Sequence, residues 1–481
     1  MRISRIFNLN KTQYELDFVD IDPTQDLPLF VDPYFLAQRN DAWSIDASRT
    51  IRSFFQHLVT LLNQNQTRAA RDLFMHLGEP NETSLGLSRG KPKGRGIGAG
   101  DANKIFVSLL KSRAVQTGIA EDLEDVRIFV DGIDKDKVSD MTTNIIRRHL
   151  IEYTQRQCEL WEIPVAPSIP SGFFWNRADR EWQTEYTSML VVGNRKLLLV
   201  PKGIVSFRLA YTPQRYHQHF ILNYLQHEHL RLNSALVKIR RRKDGTVIRY
   251  VLKKDVKQRV APFTKEFIRS FTQNHPEVFR DFKSSTTRLP SSLLNEDIGA
   301  RNLSAVVDHM IDTLNAIESG NRQATAYHRL AIGILEILFY PNLTYPQIEQ
   351  EIHEGRKRID ITFDNAANDG FFYRLHTTYQ TPAQFIFAEC KNYSSDPANP
   401  ELDQLAGRFG LNRGKFGLLL CRTISDMNLF LKRCSDTYAD GRGIILPLVD
   451  DDLIRLLTSL KDGEPLAEHL LMERFRVVAM R

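Results

Sequence analysis

The chain has 481 residues, 42% hydrophobic and 25% charged, with a net charge of +6. At roughly 100–200 residues per domain it should form about two to four domains, and its balance excludes a fibrous or disordered protein. The modest basic excess permits a polyanionic partner without requiring one. No CxxC pair, signal-peptide core or membrane-length apolar run occurs. We therefore expect a cytoplasmic protein with reduced thiols and no membrane partner.

Residues 1–165 predict an N-terminal domain of mixed α+β structure whose role the sequence does not indicate. Apolar residues at helical spacing predict an amphipathic helix over about 48–62. Residues 84–100, SLGLSRGKPKGRGIGAG, predict a basic, glycine-rich loop. This loop lacks the GK[ST] sequence of a phosphate-binding P-loop, so nucleotide hydrolysis is not indicated.

Residues 166–290 predict a β-rich region that contains a basic hairpin. The runs LVKIRRRK and TVIRYVLKK flank Asp244–Gly245, a strong signal for a type I′ turn. A row of cations suits contacts with nucleic-acid phosphates, which is the interpretation that we prefer. The alternative is a charged edge that discourages aggregation. The candidate phosphate-binding residues are Lys238, Arg240, Arg241, Arg242, Lys243, Lys253 and Lys254.

Residues 300–481 predict an α/β domain. Apolar residues at helical spacing predict a helix over 323–339 that ends before Pro341. Strands are predicted over 348–352, 357–363 and 384–392, followed by a helix over 400–409 and a strand over 416–421. The order is therefore αβββαβ, and a further αβα follows.

Three ionisable residues fall on predicted strands of this domain. Asp360 alternates with Ile359 and Ile361, so its side chain points to the face opposite these apolar residues. Glu389 and Lys391 are two residues apart on the next strand and share one face. An ExK sequence is usually a solvated ion pair. Here Glu389 follows four apolar residues in a strand predicted to be central, where a charge needs a reason.

An Asp on one strand followed by ExK on the next resembles the PD-(D/E)XK signature of restriction-endonuclease-like nucleases. The order of elements is also similar to that family's core. The stretches ECKNY, ELDQLAGRFG and GKFGLLLCR resemble versions found in bacterial restriction and phage-defence proteins. The family's proline before the Asp is replaced by Ile359. The resemblance covers roughly residues 320–450 and implies a restriction-endonuclease-like fold.

The resemblance also implies a set of active-site residues. Asp360, Glu389 and the carbonyl of Cys390 would hold Mg²⁺ or Mn²⁺, and Lys391 would stand beside the attacking water or the phosphate. Glu336 would support the metal, or else be an exposed helix residue. Gln404 would lie near the site, or else on a solvated face. The Cys390 side chain is expected to pack in the core because no His partner is fixed nearby.

The sequence therefore predicts a divalent-metal-dependent nuclease that acts on nucleic acid, with DNA preferred as the substrate. A C-terminal nuclease behind an unfamiliar N-terminal half is similar to stand-alone anti-phage nucleases of the Shedu type, which implies a role in bacterial defence or restriction. The alternatives are a repair or recombination nuclease of the junction-resolvase type and a non-catalytic nucleic-acid-binding module. A homo-oligomer is compatible with the sequence.

Overall fold

The computed structural model describes residues 1–86, 106–107, 122–206, 211–241, 247–286, 295, 302–352, 357–464 and 466–480. Its strands are β1 Phe30–Val31, β2 Ala166–Pro170, β3 Phe174–Asn176, β4 Glu181–Gln183, β5 Tyr186–Val192, β6 Arg195–Leu197, β7 Val205–Ser206, β8 Lys238–Arg241, β9 Val247–Tyr250, β10 Leu343–Ile352, β11 Lys357–Asn365, β12 Phe385–Lys391, β13 Phe416–Cys421 and β14 Ile444–Val449.

The α-helices are α1 Ile3–Ile6, α2 Pro33–Gln38, α3 Ala42–Asn63, α4 Thr67–Asp72, α5 Leu123–Phe129, α6 Lys135–Ile145, α7 Arg147–Leu160, α8 Pro213–Tyr216, α9 Leu222–Arg231, α10 Lys253–Arg259, α11 Lys265–Asn274, α12 Pro276–Thr286, α13 Leu303–Ala316, α14 Ala324–Phe339, α15 Gly370–Thr377, α16 Asn399–Ala406, α17 Met427–Ala439, α18 Asp450–Lys461 and α19 Ala467–Ala479. A π-helical turn, His217–Ile221, joins α8 to α9.

The N-terminal part is built around the long helix α3. The Asp41 carboxylate accepts the Ser44 N–H at 2.7 Å and caps its first turn. Ile51, Phe54 and Leu58 recur at helical spacing and are buried. The described region adds short helices and small antiparallel sheets, so α+β structure is observed here. The basic loop over 84–100 lies outside the described residues from 87 onward.

The prediction that residues 166–290 are β-rich is correct only as far as residue 206. From residue 213 to 286 the described chain is helical apart from the two strands β8 and β9. The prediction underestimated the helical content of this region, in part because it took the whole of 236–259 as the hairpin unit. Lys253 and Lys254 instead open the helix α10, which packs Val256 into a small core with Leu236 and Val251.

The C-terminal part contains a five-stranded sheet in the order β10-β11-β12-β13-β14. Strands β10, β11 and β12 are antiparallel neighbours, whereas β12, β13 and β14 run parallel. With α14 in front and α16 between β12 and β13, the order of elements is the predicted αβββαβ, with the short helix α15 inserted between β11 and β12. Every residue of β13 is buried, so helices cover both faces of the sheet.

The two parts of the chain share one hydrophobic core. Buried apolar residues from Ile3 to Val478 form a continuous cluster. At the junction, the rings of Trp43 and Tyr345 stack with centroids 5.1 Å apart. The backbone N–H of Trp43 donates to the Asp364 carboxylate at 3.2 Å. The sheet that carries Asp360 and Glu389 is therefore packed directly against the N-terminal part.

Candidate active site

The register of two antiparallel strands brings Asp360 close to Glu389. The last pair of the ladder between β11 and β12 joins Ile361 to Ala388, and Asp360 and Glu389 are the next residues on their strands. Beyond the last ladder pair, the Cys390 N–H donates to the Asp360 carboxylate at 3.0 Å. Asp360 therefore contacts the backbone of the residue that follows Glu389, which brings the two acidic residues to the same end of the ladder.

Lys391 lies on the same face and joins Glu389 to Gln404. Its Nζ donates to Glu389 Oε1 at 2.8 Å and to Gln404 Oε1 at 3.1 Å. Glu389 is fully buried and Lys391 is 8% exposed, whereas Asp360 is half-buried and Gln404 is exposed. The solvated-face interpretation of Gln404 is thus incomplete, because its amide contacts the lysine at the mouth of the cluster.

Arg408 is a member of this cluster that the sequence analysis missed. Its guanidinium pairs with Glu389 Oε2, the oxygen that Lys391 does not contact. Burial lowers the pKa of Arg408, and the nearby Asp360 charge opposes that shift. Arg408 lies four residues after Gln404, so the helical spacing of the two was a usable signal. It was overlooked although the predicted helix over 400–409 contains both residues.

His328 contacts the same cluster through the backbone. Its Nε2 lies 3.2 Å from the carbonyl oxygen of Cys390 and must donate there, because a carbonyl only accepts. The Cys390 side chain is buried, and burial raises the pKa of its thiol well above the usual value. The thiol is therefore a packing group, as expected, while the carbonyl keeps a second lone pair.

Glu336, the remaining predicted site residue, lies elsewhere. It is fully buried, so the exposed-helix interpretation is wrong. Its carboxylate pairs with Lys202 Nζ at 3.0 Å. Burial raises the pKa of Glu336 to about 7, against the attraction of Lys202. The charges that shift this pKa are those of Lys202 and Asp17, both in the N-terminal part. Glu336 therefore contacts the N-terminal part and not the Asp360 cluster. Local sequence patterns gave no sign that Lys202 is its partner.

The donor atoms of the cluster suit a hard cation. Asp360, Glu389 and the Cys390 carbonyl offer oxygen ligands, which Mg²⁺ and Mn²⁺ prefer, and Mg²⁺ usually keeps several waters as well. Within the described ranges no group of three or more His, Cys, Asp or Glu side chains is arranged to hold a metal. A metal here would therefore rest on two carboxylates, one carbonyl and water, which is a small but chemically suitable set.

The predicted basic hairpin is only partly a two-stranded ribbon. Lys238, Arg240 and Arg241 are exposed on β8. Lys238 Nζ pairs with Asp255 at 2.7 Å. Lys253, on the following helix, donates to the Gln218 carbonyl at 3.0 Å, and Lys254 is its neighbour. Arg242, Lys243 and the Asp244–Gly245 turn lie outside the described residues. Arg240 and Arg241 thus remain the clearest exposed cations of this segment.

Comparison with known proteins matches only the N-terminal part. Residues 8–212 match a family model described as "Domain of unknown function (DUF8370)". The match crosses the predicted boundary at 165, so the strands up to β7 belong with the helices that precede them. Searches of curated proteins and of solved structures each returned no match. Among the helices that the structure describes, none has the length and apolarity to cross a membrane.

Proposed function

We propose that the C-terminal part is a divalent-metal-dependent nuclease of the restriction-endonuclease-like type that hydrolyses phosphodiester bonds in DNA. The observation that carries this proposal is the proximity of Asp360 to the segment that bears Glu389 and Lys391, where the β11–β12 ladder ends. Two carboxylates with a lysine beside them make up the catalytic set that the resemblance implies. The αβββαβ order around them supports the same family.

Each side chain has a role that follows from its position. Asp360 and Glu389, with the Cys390 carbonyl, would hold Mg²⁺ or Mn²⁺. A cation bound there lowers the pKa of a coordinated water and neutralises charge that develops on phosphorus. Lys391 adds a positive charge next to Glu389, where an attacking water or phosphate oxygen would lie. Gln404 holds the Lys391 ammonium in place, because its Oε1 accepts from Nζ.

The exposed Arg240 and Arg241 favour a polyanionic substrate, and their phosphate contacts would be independent of sequence. The similarity to stand-alone anti-phage nucleases makes bacterial defence the proposed biological setting. That setting implies a cytoplasmic protein.

One observation favours the non-catalytic alternative. Both oxygens of Glu389 face cations, one from Lys391 and one from Arg408. A guanidinium in this place could substitute permanently for a metal and leave a nucleic-acid-binding module without activity. Calorimetric titration of Mn²⁺ into the wild type and into Arg408→Ala distinguishes the two. Under the nuclease proposal the wild type itself binds Mn²⁺, whereas under the alternative only the variant does.

Cleavage assays test the main proposal. Purified protein is incubated with supercoiled plasmid, linear duplex and single-stranded DNA, in Mg²⁺, in Mn²⁺ or in a chelator. We expect cleavage only with metal, and none from Glu389→Gln. Glu124→Gln is the matched control, since Glu124 is another buried glutamate outside the cluster and burial raises its pKa to about 8. Cleavage by Glu389→Gln at the wild-type rate would refute the assignment.

A further inference from the structure

An open cavity of about 370 Å³ lies in the N-terminal part, remote in sequence from the candidate active site. It is lined by the end of the 3₁₀ turn Leu73–His76, the loop that follows, the start of α7, and Phe173. This volume falls within the range of about 300–1,000 Å³ that small-molecule sites occupy. The cavity lies within the family-matched segment 8–212, for which no ligand is assigned.

One wall of the cavity is aromatic and open to solvent. The rings of His76 and Phe173 lie with centroids 4.0 Å apart and planes tilted by 34°. Phe173 is 44% exposed, and Met75 beside it is 54% exposed. Burial lowers the pKa of His76, so a neutral imidazole is favoured at this wall. A flat heteroaromatic ring could stack here and cover apolar surface that water now contacts.

The cavity is also lined by a buried arginine whose contacts are incomplete. Arg147 is 5% exposed. Its Nη1 pairs with Glu82 at 3.0 Å and its Nη2 donates to Asn144 Oδ1 at 2.8 Å. Gly172, with φ +78°, lies against the guanidinium, where a Cβ would approach Nη1 to 3.1 Å. The guanidinium is therefore held in one orientation.

Two buried polar atoms in this lining have no hydrogen-bond partner among the described residues. They are Arg147 Nε, a donor, and Asn81 Oδ1, an acceptor. An unsatisfied buried donor or acceptor costs about 1–3 kcal/mol, so such pairs are usually explained by a ligand or an ordered water. A donor and an acceptor in the lining of a cavity that also has an aromatic wall suit the edge and the face of one flat ring.

We propose that this cavity binds a nucleobase, stacked on Phe173 and His76 with its polar edge toward Asn81 and Arg147. Stacking combined with hydrogen bonds to the base edge is the usual recognition of unpaired bases by proteins. The cavity is also lined by Glu79 and Glu82, which offset the Arg147 charge. Recognition would thus be of the base rather than of a phosphate. The base could belong to a free nucleotide or to the unpaired end of a strand.

This proposal goes beyond the nuclease assignment and does not depend on it. The full chain is titrated by calorimetry with the nucleosides, with the 5′-mononucleotides, and with short duplexes that carry either blunt or single-stranded ends. We expect at least one of these ligand classes to bind. We expect Phe173→Ala to weaken that binding about 5- to 150-fold, the range for loss of one base stack.

Phe263→Ala is the matched control, since Phe263 is another exposed phenylalanine, 40% exposed, beside the ring of His217. Its affinity should equal that of the wild type. Binding of nucleosides that Phe173→Ala weakens identifies a free-base site. If only the duplexes with single-stranded ends bind, and Phe173→Ala weakens that binding, the cavity is a site for the unpaired end of a strand. If none of the ligands binds, or if Phe173→Ala leaves every affinity unchanged in a protein with wild-type thermal stability, the cavity holds only water and the proposal fails.

Discussion

In the part of the chain that the structure describes, two glutamate–lysine pairs have both residues buried, and they differ in what surrounds them. Glu336 pairs with Lys202 at 3.0 Å, and both side chains are fully buried. Glu389 pairs with Lys391 at 2.8 Å, and of these two side chains only that of Glu389 is fully buried. Lys202 also donates to Asn295 and lies 4.0 Å from the ring centroid of Tyr340. The first pair, Glu336 and Lys202, is thus fully enclosed by other protein groups.

The second pair instead borders a half-buried carboxylate, Asp360, and the exposed amide of Gln404. A sealed ion pair cannot exchange partners with a substrate, whereas a pair at an opening can. Desolvation makes either pair costly to break, so burial of a charged pair does not by itself indicate chemistry. Both pairs have a second carboxylate nearby, Asp17 at the sealed pair and Asp360 at the open one, so access to solvent is what separates the candidate active site from the structural link.

The largest expected effect is on folding, at the sealed pair. Lys202→Met leaves Glu336 buried without its cation, which should lower the free energy of unfolding by about 3–5 kcal/mol. The double variant Lys202→Met/Glu336→Leu should recover much of this loss, because neither member of the pair is then left buried without the other. Chemical denaturation with urea measures both. Equal destabilisation of the single and double variants would show that the pair is not coupled.

The next largest effect is on cleavage, at the open pair. Lys391→Met removes the charge beside Glu389 and should reduce cleavage about 10²- to 10³-fold, as for loss of one transition-state contact. Its thermal stability should fall less than that of Lys202→Met, because Arg408 still pairs with Glu389. Single-turnover cleavage and a thermal melt on the same sample measure the two. A variant that unfolds rather than loses activity would make Lys391 structural.

A smaller effect is expected from Gln404. Gln404→Ala removes the acceptor that orients Lys391 and should slow cleavage about 10- to 100-fold, as for other groups that position a ligand or catalytic residue. Gln404→Glu, which keeps an acceptor of the same shape, should retain more activity than the alanine variant. If both variants cleave at the wild-type rate, the contact between Gln404 and Lys391 has no part in the reaction.

The smallest effect is a pH slope at the sealed pair. Burial raises the pKa of Glu336 from its ordinary 4.5 to about 7, so the folded state binds this proton more tightly than the unfolded state. The stabilisation is therefore present in full below about pH 4.5 and is lost as pH rises through 7. Thermal melts between pH 4.5 and 8 should fall more steeply for the wild type than for Glu336→Gln. Parallel profiles would contradict this.

Strand positions in the C-terminal part could be predicted from the sequence because each strand shows its own burial. Apolar residues either alternate with polar ones or form a continuous apolar run. The β12 and β13 bounds agree with prediction to within about one residue. Strand β10 begins earlier than predicted, at Leu343, because a register shift between Thr344 and Gln347 interrupts the alternation. The β8–β9 hairpin was extended too far because KKDVKQR was interpreted as strand rather than as the helix α10.

For the candidate site, the alternation of side chains along two strands was sufficient to predict that Asp360, Glu389 and Lys391 lie near one another. It could not place Glu336, because Lys202 lies far upstream in a part of the chain with no recognisable pattern. It also missed Arg408, which lies beyond the end of α16 and reaches Glu389 through the turn that follows. Contacts between distant segments follow from tertiary packing, which a single sequence does not display.

The shared core has a consequence for how this protein is inherited. Trp43 stacks on Tyr345, and Arg39 donates to Thr344 Oγ1 at 3.2 Å, so each part completes the interior of the other. A recombination event that joined one part to a foreign partner would expose matched apolar surfaces on both. We therefore expect the segment 8–212 and the sheet that bears Asp360 to pass between genomes as one block, with exchange tolerated at peripheral elements such as the β8–β9 hairpin.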